Sequence, residues 1–152
     1  MKSRSARAGC AAVGIAMVVG GGWIAARQPS QEAAADVPRI SVIEFSALHA
    51  AGAVFTIDVR PQAPFDAGHI PGAVNVPLPE IAERAAEIGR RAGSRRIVTY
   101  CSCASESSSA AAARELTRLG IGGVSALAGG LDEWMLKGGR PEKTIKMTAA
   151  RR

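Results

Sequence analysis

The stretch Ile97-Val98-Thr99-Tyr100-Cys101-Ser102-Cys103-Ala104-Ser105-Glu106-Ser107-Ser108-Ser109 decides how the chain is read. Its first four residues form a short apolar and β-branched run, which reads as a buried strand. Serines follow where a helix should start, and Ala112, Leu116 and Leu119 then recur at helical spacing. Arg118 falls in the last turn of that helix, and Gly120 supplies its stop. A strand that passes through a short loop into a helix is half of a strand–helix–strand crossover.

The same alternation extends in both directions. Toward the N-terminus, Ser41-Val42-Ile43-Glu44 is a capping box, with Phe45 and Leu48 behind it on one helical face. His49 falls near the end of that helix, in a solvated or C-terminal capping role. Val54 to Val59 reads as a strand ending at the charged pair Asp58 and Arg60, and Ile81, Ala85 and Ile88 give a second helical face. Toward the C-terminus, Val124 to Leu127 is a further strand, and Leu131, Trp134 and Met135 share one face of a last helix. Helices separate the strands and no two-residue hairpin turn joins them. The expected class is therefore α/β, with right-handed crossovers and a parallel sheet covered on both faces. Such sheets bind ligands at the carboxyl ends of their strands, which points to the loop after Tyr100.

That loop presents backbone N–H groups at the positive end of a helix dipole, where anions bind. A thiolate placed there is stabilised and reactive near neutral pH. The loop on its own leaves two readings open: Cys101 as a nucleophile in an anion cradle, or as a small cysteine buried at a strand end.

Composition narrows the function. The 152 residues hold one domain of ordinary size plus an appendage, with 47% hydrophobic residues but only 4% aromatics, so the core rests on Ala, Val, Ile and Leu. The net charge of +6 is concentrated at the ends, in Lys2, Arg4, Arg7 and Arg27 and in Lys143, Lys146, Arg151 and Arg152. From residue 28 onward, 15 Lys and Arg face 13 Asp and Glu, and no basic face with interleaved aromatics argues for nucleic acid. Cys10, Cys101 and Cys103 do not form a disulfide framework.

Residues 1–7 are basic, and Ala8 to Ala26 carry no charge before Arg27. This is the pattern of a signal peptide or signal anchor over residues 1–27, near the lower limit of a bilayer span. Residues 28–38 read as a linker. With positive charge kept inside, the remaining chain is expected to be periplasmic or extracytoplasmic, secreted or held to the membrane by its N-terminal segment.

Two further stretches select between the readings of Cys101. Ile57 to Arg60, followed by Phe65-Asp66-Ala67-Gly68-His69-Ile70-Pro71-Gly72-Ala73-Val74-Asn75-Val76-Pro77, resembles the first signature of rhodanese domains. Tyr100-Cys101 with its loop, then Leu127-Ala128-Gly129-Gly130-Leu131-Asp132-Glu133-Trp134, resembles the active-site strand and closing signature of that family. The resemblance implies a rhodanese-like, five-stranded parallel sheet with helices on both faces, over residues 39–142, with a basic tail at 143–152. It further implies a sulfurtransferase without cofactor or metal. Cys101 would carry a sulfane sulfur as a persulfide, from a small sulfur-containing anion to a thiol or other nucleophile. Ser102, Cys103, Ala104, Ser105, Glu106 and Ser107 would form the cradle, with preorganised amides facing the sulfur. Asp58, His69 and Trp134 read as structural, and Asp58 and Arg60 as a charge pair in which Arg60 could also attract an anionic donor. The domain is expected to be monomeric.

Two residues depart from the family pattern. Glu106 ends the loop, either as a cap or pointing inward against an anionic donor, and no Lys or Arg between Tyr100 and Ala113 offsets it. Weak thiosulfate:cyanide activity is the expectation. Cys103 is either a resolving thiol for a Cys101 persulfide or inert filler. The competing readings are a cysteine phosphatase, an inactive binding module, and a thiol redox or metal relay. The phosphatase lacks its Arg clamp, since Ser107 stands six residues after Cys101.

Overall fold

A computed structural model describes residues 37–102 and 105–144. The expected signal or anchor segment, Cys103, Ala104 and most of the basic tail lie outside the described residues. Among the described residues, no helix is long and apolar enough to cross a membrane.

The described elements alternate as anticipated. They are β1 (Arg39–Ile40), α1 (Val42–Ala50), β2 (Val54–Asp58), α2 (Gln62–Ala67), β3 (Val74–Asn75), a 3-10 turn (Leu78–Glu80), α3 (Ile81–Ala92), β4 (Arg96–Tyr100), α4 (Ser107–Arg118), β5 (Val124–Leu127) and α5 (Gly130–Leu136). The five strands form one sheet in the order β1-β5-β4-β2-β3, and every pairing is parallel. β1 and β3 are two-residue strands at the edges, so little unpaired backbone is offered for edge-to-edge association.

Two apolar layers cover the sheet, and alternation along each strand assigns every side chain to one of them. Phe55, Ile57, Val59, Ile97 and Cys101 join α3 and α4 on one face, through Ile81, Ala85, Ile88, Ala112 and Leu116. Val54, Val98, Tyr100 and Leu127 join α1 and α5 on the other, through Val42, Phe45, Leu131 and Trp134. Tyr100 at the end of β4 and Cys101 just beyond it therefore point to opposite sides of the sheet.

Local signals are realised with small differences. Ser41 caps α1 by accepting from the Glu44 amide at 3.2 Å, but the Glu44 carboxylate turns to Arg96, 2.7 Å away. His49 neither caps its helix nor stands in solvent; its Nε2 donates to the Pro71 carbonyl at 2.9 Å and ties α1 to the first signature. Gly120, at φ 84°, closes α4 with a bond from its amide to the Thr117 carbonyl. Leu131 and Trp134 are buried under α5, whereas Met135 is exposed, since its helix covers the sheet with a narrower stripe than the sequence pattern suggested. The linker yields its last two residues to the domain. Val37 is buried in the core, and the Pro38 carbonyl accepts from the Ala126 amide at 2.9 Å.

Candidate active site around Cys101

Cys101 is the first residue beyond β4, at the carboxyl edge of a central strand and ahead of the N-terminus of α4. It is buried, 3% exposed, on the α3/α4 side. Its main chain is clamped from the β5–α5 turn. The Leu131 amide donates to the Cys101 carbonyl at 2.9 Å, and a Cβ on Gly130 would stand only 2.2 Å from that oxygen. Gly130 is thus required both by its φ of 58° and by this close approach. The Gly-Gly of the closing signature lets one loop seat the cysteine of another.

A hydroxyl lies beneath the sulfur. Cys101 Sγ is 3.7 Å from Ser109 Oγ, which donates to the Glu106 carbonyl at 3.0 Å. The Ser109 side chain is fully buried, and its own carbonyl accepts from the Thr99 hydroxyl at 2.9 Å. Sequence reasoning counted Ser109 only among residues that favour a helix start. It stands in the first turn of α4.

The predicted cradle residues divide. Ser102 is exposed, Ser105 donates to Ser107 Oγ at 3.4 Å at the loop rim, and Glu106 is buried at 7% exposure. Glu106 occupies the N-cap position of α4, but its carboxylate makes no capping bond and does not stand free in the loop. Oε1 accepts from the Gly129 amide at 2.6 Å, and Oε2 lies 2.8 Å from Arg39 Nε as an ion pair without hydrogen-bond alignment. The inward and capping alternatives for Glu106 are both replaced by a third arrangement, and the cation that offsets it comes from β1, outside the segment where one was sought.

The first signature forms a separate polar cluster. Asp58, fully buried, accepts from Arg60 at 2.6 Å and from the Arg60 amide at 2.9 Å, and Arg60 also donates to the Gly68 carbonyl at 2.7 Å. Burial opposes the Arg60 charge, but hydrogen bonding to Asp58 and its negative charge outweigh this and raise the guanidinium pKa. The guanidinium lies 5.9 Å from the centre of the Tyr100 ring, and Tyr100 faces the α1/α5 layer. Arg60 is therefore engaged across the sheet from the Cys101 side chain. Burial, and then the adjacent Asp58 charge, push the Tyr100 phenol well above its ordinary pKa; its oxygen accepts from the Ile70 amide at 3.1 Å. His69 is buried and stacked on Phe65, donates from Nδ1 to the Phe65 carbonyl at 2.8 Å, and places Nε2 3.3 Å from the Glu142 carboxylate. Trp134 lies in the α1/α5 core. Among the described residues, no three His, Cys, Asp or Glu side chains converge as a metal site.

An open groove of about 330 Å³ runs over the carboxyl ends of β1 and β5, lined in part by Ser41, Ile43, Gly129 and Lys137. It shares Gly129 with the Glu106 contact, and so borders the loop that carries Cys101.

Known proteins share the fold. The single-domain human sulfurtransferase TSTD1 superposes with a TM-score of 0.57 at 27% identity, over 66% of this chain and 96% of that one. A thiosulfate sulfurtransferase from Pseudomonas aeruginosa gives a TM-score of 0.66 at 27% identity, over 76% of this chain but 22% of that longer chain. In sequence, 91 residues are 42% identical to the HTH-type transcriptional regulator Rv0324 of Mycobacterium tuberculosis, which is 58% of this chain and 37% of that protein. The chain thus spans little more than a third of that curated relative. The family description "Rhodanese-like domain" matches residues 41–137, from the cap of α1 to the end of α5. With all three signature segments inside that span, the chain belongs to the rhodanese-like domain family.

Proposed function

We propose that the protein is a sulfurtransferase in which Cys101 carries a sulfane sulfur between a small sulfur-containing donor and a thiol or other nucleophile. The observation that carries this reading is the seat of Cys101, clamped by Leu131 and Gly130 at the carboxyl end of β4 and facing the N-terminus of α4. A helix N-terminus offers N–H donors and a favourable field to a thiolate or a persulfide anion. With thiosulfate as donor, the Cys101 thiolate attacks the sulfane sulfur. The new S–S bond forms as the old one breaks, and sulfite leaves with the bonding pair. An acceptor nucleophile then attacks the terminal sulfur and releases the Cys101 thiolate, so no outside oxidant or reductant is consumed.

Pairing of Glu106 with Arg39 removes the electrostatic objection to an anionic donor. Substantial thiosulfate activity is thus expected, in place of the weak activity anticipated from sequence. Export or membrane anchoring belongs to the same proposal and rests on the basic residues 1–7 and the uncharged run from Ala8 to Ala26. Protease accessibility in intact cells tests it.

The test of function is the intact mass of the reduced protein after brief exposure to thiosulfate or polysulfide. A gain of one sulfur that vanishes in Cys101→Ser and survives in Cys103→Ser is expected. No gain with either donor overturns the reading in favour of a binding module, and a gain that requires Cys103 moves the chemistry to the thiol pair.

A further inference from the structure

Among the described residues, Glu106 is the one non-glycine residue with positive φ, at 53°. Side chains rarely adopt that backbone region, and it persists where surroundings over-determine it. Here the surroundings are the Gly129 amide and the Arg39 guanidinium, both reached because the left-handed backbone turns the carboxylate sideways, out of the loop and toward the β5–α5 turn. Without that turn, an acid at the N-cap of α4 would stand over the donors that an anion on Cys101 needs, and would compete for the same positive field.

Arg39 reaches Glu106 from β1, which is separated from β4 by β5. The other charged groups at this end of the sheet are already committed or lie elsewhere. Asp58 and Arg60 close on each other beside Tyr100, on the opposite face. Glu133 lies 3.5 Å from Lys137, and Asp132 is exposed in the first turn of α5. Ser109 Oγ, 3.7 Å from Cys101 Sγ, is neutral. Arg39 is thus the partner of the one carboxylate built into the loop.

We propose that Arg39 is a positioning residue for Cys101: it holds the Glu106 carboxylate against the Gly129 turn and offsets its charge, leaving the α4 N-terminus to stabilise the anionic sulfur. This rests on the reading of Cys101 as the reactive sulfur, but its test reads the thiol itself. In the full chain with Cys10→Ser and Cys103→Ser, ionisation of Cys101 is followed by the ultraviolet absorbance of the thiolate. Arg39→Gln should raise the midpoint by about half to one pH unit, a three- to tenfold weaker acid, as expected for one uncompensated charge in a partly solvated site. Arg39→Lys should stay near the parent. Adding Glu106→Gln to Arg39→Gln should return the midpoint, because the amide oxygen can still accept from Gly129 without carrying charge. The Arg39 side chain is 48% exposed, so the shift should shrink in concentrated salt.

An unmoved midpoint in Arg39→Gln overturns the proposal. A Lys variant shifted as far as the Gln variant, or a double variant that fails to return, also overturns it, because either makes the effect one of packing and not of charge. If Arg39→Gln fails to fold, Glu106→Gln alone decides: it leaves the Arg39 charge unopposed and should lower the midpoint, and an unmoved midpoint overturns the proposal. Failure of the parent to load sulfur would sink the proposed function while leaving this titration to stand or fall separately.

Discussion

The loops that leave the carboxyl ends of β2 and β4 solve opposite problems. After β2, the polar groups are locked together: Asp58 with Arg60, Arg60 with the Gly68 carbonyl, and His69 with the Phe65 carbonyl and Glu142. After β4, a cysteine is seated by main-chain contacts, with a strained glutamate beside it and a buried hydroxyl beneath it. The stretch that most specifically marks the family is therefore a brace, while the chemistry is assigned to the less distinctive loop. The two lie on opposite faces of the sheet, so damage to one should be separable from damage to the other.

The largest effect expected on stability is in the brace. Asp58→Ala leaves Arg60 partly buried without its partner, and breaking a buried pair in this way costs about 3–5 kcal/mol. Urea denaturation should show that loss, while the folded fraction still takes up one sulfur on Cys101. Loss of loading by well-folded Asp58→Ala protein would break the separation and return Arg60 to the site as a donor-attracting residue.

Gly130→Ala should reverse the pattern. Its Cβ would press on the Cys101 carbonyl, and the residue would keep a left-handed backbone, a strain of about 1–3 kcal/mol before any clash is relieved. Because the relief moves Cys101 itself, sulfur uptake should fall out of proportion to the loss of stability. Uptake by Gly130→Ala at the parent rate, measured well below its melting temperature, would show that the clamp does not set the cysteine geometry.

How far the sequence reaches differs between the two loops for physical reasons. Strand and helix periodicity is local, so the order of elements, the seat of Cys101 at a strand end and the pairing of Asp58 with Arg60 two residues away could all be read directly. Glu106 could not. Its partners, Arg39 and Gly129, are brought to it by the parallel pairing of β1 with β5 and of β5 with β4, and no local pattern encodes such a contact. One signal was available: Arg39 lies two residues before the capping box that opens at Ser41, and a parallel sheet gathers the ends of its strands at one edge. His49 and Glu142 were missed in the same way, since their partners Pro71 and His69 lie far along the chain. The Met135 assignment failed for a different reason. A seven-residue helix offers too few turns for an apolar stripe to be told from chance.

The smallest effect lies outside both loops and guards the comparison against a false attribution. Among the described residues, the carboxylate with the clearest displacement is Glu87 on α3. Hydrogen bonds from Arg84, then from Arg91, hold its pKa near 2, against an ordinary value of 4.5. A carboxylate with a depressed folded pKa adds stability that is fully present above the unfolded value and is lost as pH falls toward the folded one. Its contribution should therefore fade between about pH 4.5 and pH 2. The Glu87 side chain is 39% exposed and faces solvent beside its arginines, so the gain is small and screened. Glu87→Gln should flatten the acid limb of a stability-versus-pH curve slightly at low salt and leave it unchanged at high salt, with sulfur uptake intact. If the acid limb of Glu87→Gln matches that of the parent at low salt, the Arg84–Glu87–Arg91 cluster makes no contribution to acid sensitivity.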